Sequence, residues 1–276
     1  MNPLLDESFH IPWSGLKPEN VVPDMTIALE RAESEMETIR NMPPEEVDFR
    51  NVPLQFCKAQ EDLGEAWNVV SHIDQVRNSE ELREAYNEML PKVTAFGTKA
   101  LLDQKLWKQV KEFAGTKEAQ SLDGQEKRLL DELVADFVEA GADLPQDNRT
   151  RLEELSTELA QATQKFSENV LDSTNAWQKN VLDESLLGGL PESAKIAARE
   201  TAKQKEMDGW VFTLHAPSIM PIMKYLDDGA IRKEFWEASC KVGWEGERDN
   251  TDLIRRILKL RQGKAEILGK KDYADV

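Results

Sequence analysis

Apolar residues recur every three or four positions along most of the chain, the signature of helices that each bury one face. After a start punctuated by Pro3, Pro12 and Pro18, the set Met25, Ala28, Leu29, Ala32, Met36 and Ile39 predicts a first helix. Pro23 fits its opening turn, where a missing N–H is harmless, and Pro43-Pro44 stops it. Phe56, Leu63, Trp67, Val70 and Ile73 predict a second helix ending near Asn78-Ser79. Ser79 then suits the N-cap of a third, with Leu82, Tyr86, Leu90 and Val93 on one face and Pro91 expected to kink or break it. Gln125 to Ala140 is strongly periodic and closes at Gly141, a helix-terminating glycine. A long helix opens after Leu144-Pro145, its seam marked by Leu152, Leu155, Leu159, Ala162, Phe166 and Val170.

The period then shortens. Ala176 to Leu182 and Gly209 to Leu214 read as short strands that pair, with a Gly188-Gly189 turn and a helix from Pro191 to Met207 between them. Helices resume at Ser218 to Asp227, Ala230 to Lys241 and Thr251 to Leu268, with Gly269 as a stop. The fold expected is mainly α: an elongated multi-helix array with one small antiparallel strand pair, residues 1–276 forming a single helical lobe.

Charge narrows the partners. With 35 Lys and Arg against 52 Asp and Glu, the net charge is -17. Nucleic acid and anionic membrane surfaces are poor partners for such a chain, because phosphate-backbone affinity comes largely from Lys and Arg. No apolar run reaches the ~20 residues that span a bilayer. The opening Met1-Asn2-Pro3-Leu4-Leu5-Asp6-Glu7 lacks the basic and apolar regions of a signal peptide, so a cytoplasmic location is expected. Cys57 and Cys240 are far apart, and no disulfide between them is expected.

The candidate chemistry is sparse. His10, His72 and His215 have no second His or Cys at ligand spacing. His72 reads as a partly buried structural histidine and His215 as a strand-end residue. The acid pairs Glu45-Glu46, Glu61-Asp62 and Asp227-Asp228 read as solvated charge, since neighbours on a helix point ~100° apart. Trp13, Trp67, Trp107, Trp177, Trp210, Trp236 and Trp244 are scattered among elements, and most are expected in the core. No phosphate loop, dinucleotide fingerprint or nucleophile elbow occurs. Catalytic and metal-ligating residues are therefore none in this chain, and substrate-binding residues are left open.

Several stretches carry a resemblance. Phe166 to Thr174 (Phe-Ser-Glu-Asn-Val-Leu-Asp-Ser-Thr), followed by Trp177, is similar to a signature of the oligopeptidase A and thimet oligopeptidase family of zinc metallopeptidases, its bacterial branch most. So is Ser71 to Ser79 (Ser-His-Ile-Asp-Gln-Val-Arg-Asn-Ser), continuing through Glu81-Leu82-Arg83-Glu84-Ala85-Tyr86. Leu144-Pro145 through Leu155, Gly209 to Leu214 with Pro217-Ser218, Pro221, Met223 and Tyr225, and Asp249-Asn250 with Ile257 to Arg261, Leu268-Gly269 and Tyr273-Ala274 resemble it in the same order.

The resemblance implies a thimet-oligopeptidase-like N-terminal lobe, one wall of a channel that admits short unfolded peptides. It implies zinc in the full-length family, held by a His-Glu-x-x-His helix and a later Glu, with the motif's Glu as general base on a zinc-bound water. That motif is absent from these 276 residues, so the resemblance places catalysis in a later half, and this segment is expected to bind no cofactor and to be inactive alone. Self-association through the C-terminal third, or fraying of its last helix, is expected, because Leu253, Ile254, Ile257, Leu258 and Leu260 spread around their helix. The alternative is a self-standing helical module that binds peptides or a partner protein without hydrolysis.

Overall fold

A computed structural model describes residues 2–6, 8 and 10–276. Its contacts divide the chain into two compact units, Met1–Gln161 with Lys259–Val276, and Ala162–Leu258. Both are helical, and the second also holds a two-stranded antiparallel sheet.

In the first unit, helix α1 (Pro18–Arg40) is the central element, with Met25, Ala28, Ala32, Met36 and Ile39 almost wholly buried along one face. It begins at Pro18 rather than near Pro23. The Lys17 N–H donates to Asn20 Oδ1 at 3.1 Å, and Pro18 takes the first helical position. Pro23 consequently lies inside the helix, where it forfeits one backbone bond.

The predicted second helix is three elements. A widened turn over Arg50–Leu54, with the Leu54 N–H reaching Phe49 O at 3.0 Å, leads into α2 (Gln55–Lys58). The chain turns at Ala59-Gln60 and restarts as α3 (Glu61–Val76). Pro53 has no N–H to give to a regular ladder, and burial of Val52 and Phe56 rewards the wider turn.

Helix α4 (Glu80–Leu102) passes through Pro91 without breaking, so of the kink or break expected there the break does not occur. Met89 and Leu90, just before it, are buried in the cluster that α1, α3 and α4 share. That packing outweighs the ~3 kcal/mol a mid-helix proline costs. Helices α5 (Gln104–Ala114) and α6 (Lys117–Ser121) follow, neither of which the apolar pattern had been used to find. Asp103 starts α5 by accepting from the Lys105 and Leu106 N–H groups at 2.8 and 3.0 Å. Helix α7 (Gly124–Ala140) ends as predicted: Gly141 takes φ +97°, and the Ala142 N–H returns to Phe137 O at 2.9 Å.

Helix α8 (Gln146–Ala176) is the long helix of the sequence reading. In the second unit, β1 (Gln178–Val181) pairs antiparallel with β2 (Trp210–Thr213), Gln178 opposite Thr213 and Val181 opposite Trp210. Both strands fall inside the predicted ranges, with Ala176 kept by the helix. Gly209, at φ +83°, lets β2 enter: a Cβ there would lie 2.3 Å from Val181 O. Helices α9 (Glu192–Gln204), α10 (Ala216–Tyr225), α11 (Gly229–Cys240) and α12 (Thr251–Ile267) complete the chain, the last running into the first unit's sequence range. The second unit's core gathers Val181, Leu187, Trp210, Phe212, Ile222 and Phe235.

Candidate functional site: two clefts built on the recurring stretches

The stretch Ser71–Ser79 makes the turn between α3 and α4. Its buried Asp74 accepts from Asn78 Nδ2 at 2.5 Å, and the Arg77 N–H closes the helix end on Ile73 O at 2.8 Å. Ser79 Oγ then caps α4 by accepting from the Leu82 N–H at 3.2 Å. With the backbone held this way, His72, Val76 and Arg77 face outward. Across from them stands Trp13, 47% exposed, its ring edge-on to His72 at 5.6 Å. The buried Asp24 of α1 accepts from the Leu4 N–H at 3.0 Å and ties down the Pro3–Leu5 turn. Together these enclose a cavity of about 600 Å³, its floor made of core residues Val21, Val70 and Leu82, its rim of Lys17, His72 and Arg77.

The stretch Phe166–Thr174 works differently. Asn169 is buried on α8 and donates from Nδ2 to Asn250 Oδ1 at 2.9 Å, while Asn250 Nδ2 donates to Phe166 O at 3.1 Å. Asn250 is also buried, and its N–H reaches Gly243 O at 2.9 Å. Gly243 sits at φ +67° with the Asn250 amide where its Cβ would be, at 2.9 Å. Next door Asp249 accepts from the Thr251 side chain and backbone at 2.6 and 2.8 Å, and these bonds hold its carboxyl below the usual range. The polar signature thus clamps the lead-in to α12 onto α8.

One turn further, Ser173 and Trp177 line an open groove of about 670 Å³. Trp177 packs edge-on against Phe235 at 4.7 Å, so the groove has an aromatic base. Glu234, Glu237, Lys241 and Arg248 line its polar side. Lys179 pairs with Glu234 at 2.7 Å, and Lys241 with Glu245 at 3.0 Å.

Of the individually named candidates, His72 and Trp13 line the first cavity and Trp177 the second groove. His72 is exposed, not partly buried as expected, because the burial on that turn goes to Asp74. His215 is an exposed strand-end residue preceding α10, its N–H donating to Thr213 Oγ1 at 3.4 Å. His10 is exposed in the opening segment. Cys57 and Cys240 are both free thiols; burial, with Asp136 nearby, pushes Cys57 up, so it is a poor nucleophile. Of the acid pairs, Glu45-Glu46 and Glu61-Asp62 are exposed, whereas Asp228 caps α11 through the Ala230 and Ile231 N–H groups. Of the tryptophans, Trp107 and Trp210 are buried and Trp67 and Trp177 partly so, but Trp13, Trp236 and Trp244 are exposed. Among the described residues no three His, Cys, Asp or Glu come together as metal ligands, and the donor set does not fit zinc. Among the described residues no helix is long and apolar enough to cross a membrane.

Comparisons with known proteins bear on the first of these stretches by position and on the chain as a whole. A profile of the neurolysin/thimet oligopeptidase N-terminal domain matches residues 25–149. Oligopeptidase A of Salmonella typhimurium is 34% identical over 279 residues, covering 99% of this chain and 41% of that protein. Oligopeptidase A of Escherichia coli is 34% identical over 280 residues, with 99% and 41% covered. A probable cytosolic oligopeptidase A of Arabidopsis thaliana is 30% identical over 282 residues, with 100% and 40% covered. The fold and matched stretches define an oligopeptidase-type helical segment. The chain belongs to the oligopeptidase A and thimet oligopeptidase family. It spans about two fifths of the length of the curated relatives it matches.

Proposed function

We propose that this chain is the non-catalytic, channel-forming lobe of a zinc-dependent oligopeptidase that hydrolyses short unfolded peptides. The observation that carries this reading is 34% identity to oligopeptidase A maintained across 99% of the chain. In this reading residues 1–276 supply peptide-contacting wall, and the zinc and its ligands belong to the length of the relatives that the chain does not match. The groove beside Trp177 suits that role: an aromatic base binds apolar side chains, and paired carboxylates and amines at the rim tolerate either charge. The exposed Ile254 and Leu258, one turn apart on α12, suit contact with the remainder of the enzyme or, in its absence, with a second copy. A cytoplasmic location is consistent with the cytosolic relative.

The test joins residues 1–276 to a segment supplying the relatives' unmatched length. The joined protein should cleave a quenched fluorescent peptide, lose that activity to a chelator, and leave a folded protein of the same sequence uncut. A joined protein that takes up zinc yet cleaves nothing would contradict the reading and leave the self-standing binding module.

A further inference from the structure

The cavity at the α3–α4 turn has a chemistry unlike the rest of the molecule. Acids outnumber bases 52 to 35 in the chain, yet the charged or basic side chains that line this cavity are Lys17, His72 and Arg77, and among the described residues no carboxylate does. Arg77 is exposed and has no ion-pair partner among the described residues, while its backbone is fixed by the bond to Ile73 O. Lys17 has only Glu19 at 3.7 Å, both side chains well exposed, so water screens that pair and leaves the ammonium available. Below this basic rim the lining is mostly apolar, with Ser14, Asn78 and Ser79 among it. Val76, 66% exposed, and Trp13, 47% exposed, stand in water although both carry large apolar surfaces. Its volume of about 600 Å³ lies within the range of small-ligand cavities, and an apolar interior with a few convergent polar groups is the usual makeup of one.

We propose that this cavity binds the free C-terminal residue of a peptide, with the apolar side chain against Trp13 and Val76 and the α-carboxylate between Lys17 and Arg77. An apolar floor with a cationic rim selects a ligand that is apolar at one end and anionic at the other. A neutral apolar molecule would leave the rim charges unanswered, and a hydrophilic anion would leave Trp13 and Val76 in water. That a peptide carries the carboxylate rests on the oligopeptidase reading; the apolar-anionic chemistry does not. The site would retain a peptide by its end.

The experiment is titration calorimetry on residues 1–276 with three probes: acetyl-Ala-Ala-Phe with a free carboxylate, the same peptide as its C-terminal amide, and 3-phenylpropionate. The free acid peptide should bind saturably at one site, and the amide about fivefold more weakly or worse, the upper range for an exposed charge contact. Arg77→Gln and Lys17→Gln should each weaken the acid about two- to fivefold while leaving the amide unchanged. Val76→Glu, which sets a carboxylate beside the ligand's own, should weaken it most. All three side chains are exposed, so thermal unfolding of each variant should match the parent and exclude misfolding as the cause. Equal binding of acid and amide, indifference to Arg77→Gln, or no saturable binding would overturn the proposal. So would phenylpropionate binding as tightly as the peptide, which would make this a pocket for small acids. Binding is read without catalysis, so a failed cleavage assay leaves this result standing, and the reverse holds.

Discussion

Asn250 shows how a polar side chain can decide local structure. It is 2% exposed, accepts from Asn169 and donates to Phe166 O, and Gly243 leaves room for its amide. Asn250→Ala would strand the buried Asn169 Nδ2 and should lower stability by about 1–3 kcal/mol, read as a drop in the urea midpoint with unchanged slope. An unchanged midpoint would mean water already satisfies these groups. Asp143 gives a pH-dependent case. The Trp107 indole N–H and the Lys111 ammonium, at 2.9 and 3.1 Å, hold its carboxyl below the ordinary value. A depressed folded value contributes stability above the unfolded pKa and loses it as pH falls through the folded one. Asp143→Asn should therefore be slightly less stable than the parent at neutral pH, and the gap should close in acid. The effect is small because the carboxylate is exposed. Thermal melts across pH check it, and a gap that widened in acid would refute the assignment.

At the scale of elements, apolar periodicity located most helices because burial follows the same period. Met25 to Ile39 and Gln125 to Ala140 are examples, and the strands emerged where that period failed. Pro43-Pro44 ended a helix as expected, but other prolines follow packing rather than a rule. A proline rule speaks of one lost bond, whereas Pro91 is decided by Met89 and Leu90 packing before it, and Pro53 by a turn that needs no N–H there. Helix α5 is legible in Leu106, Trp107, Val110 and Phe113 after a capping Asp103. The two clefts were not legible as clefts. The stretches that line them could be recognised, but the approach of Trp13 to His72 depends on long-range folding that no local pattern records.

The outer face of α12 carries its own expectation. Ile257 and Leu260 are buried, while Ile254 and Leu258 are 46% and 58% exposed. Replacing both with Glu should leave the unfolding midpoint within about 0.5 kcal/mol, as exposed substitutions do. If that face drives self-association of residues 1–276, the same change should return the protein to monomer in light scattering. A monomeric parent would remove the role in self-association.

For the whole molecule, the proposed role as a peptide-handling lobe rests on the family relationship, which spans nearly all of this chain and about two fifths of the relatives. The net charge of -17 disfavours nucleic acid as an alternative partner. The most direct measurement is zinc content and turnover of a quenched fluorescent peptide by purified residues 1–276 after dialysis against zinc. The account predicts far less than one zinc per chain and no chelator-sensitive cleavage. One zinc per chain together with cleavage abolished by a chelator would contradict it, and would place a complete active site inside these 276 residues.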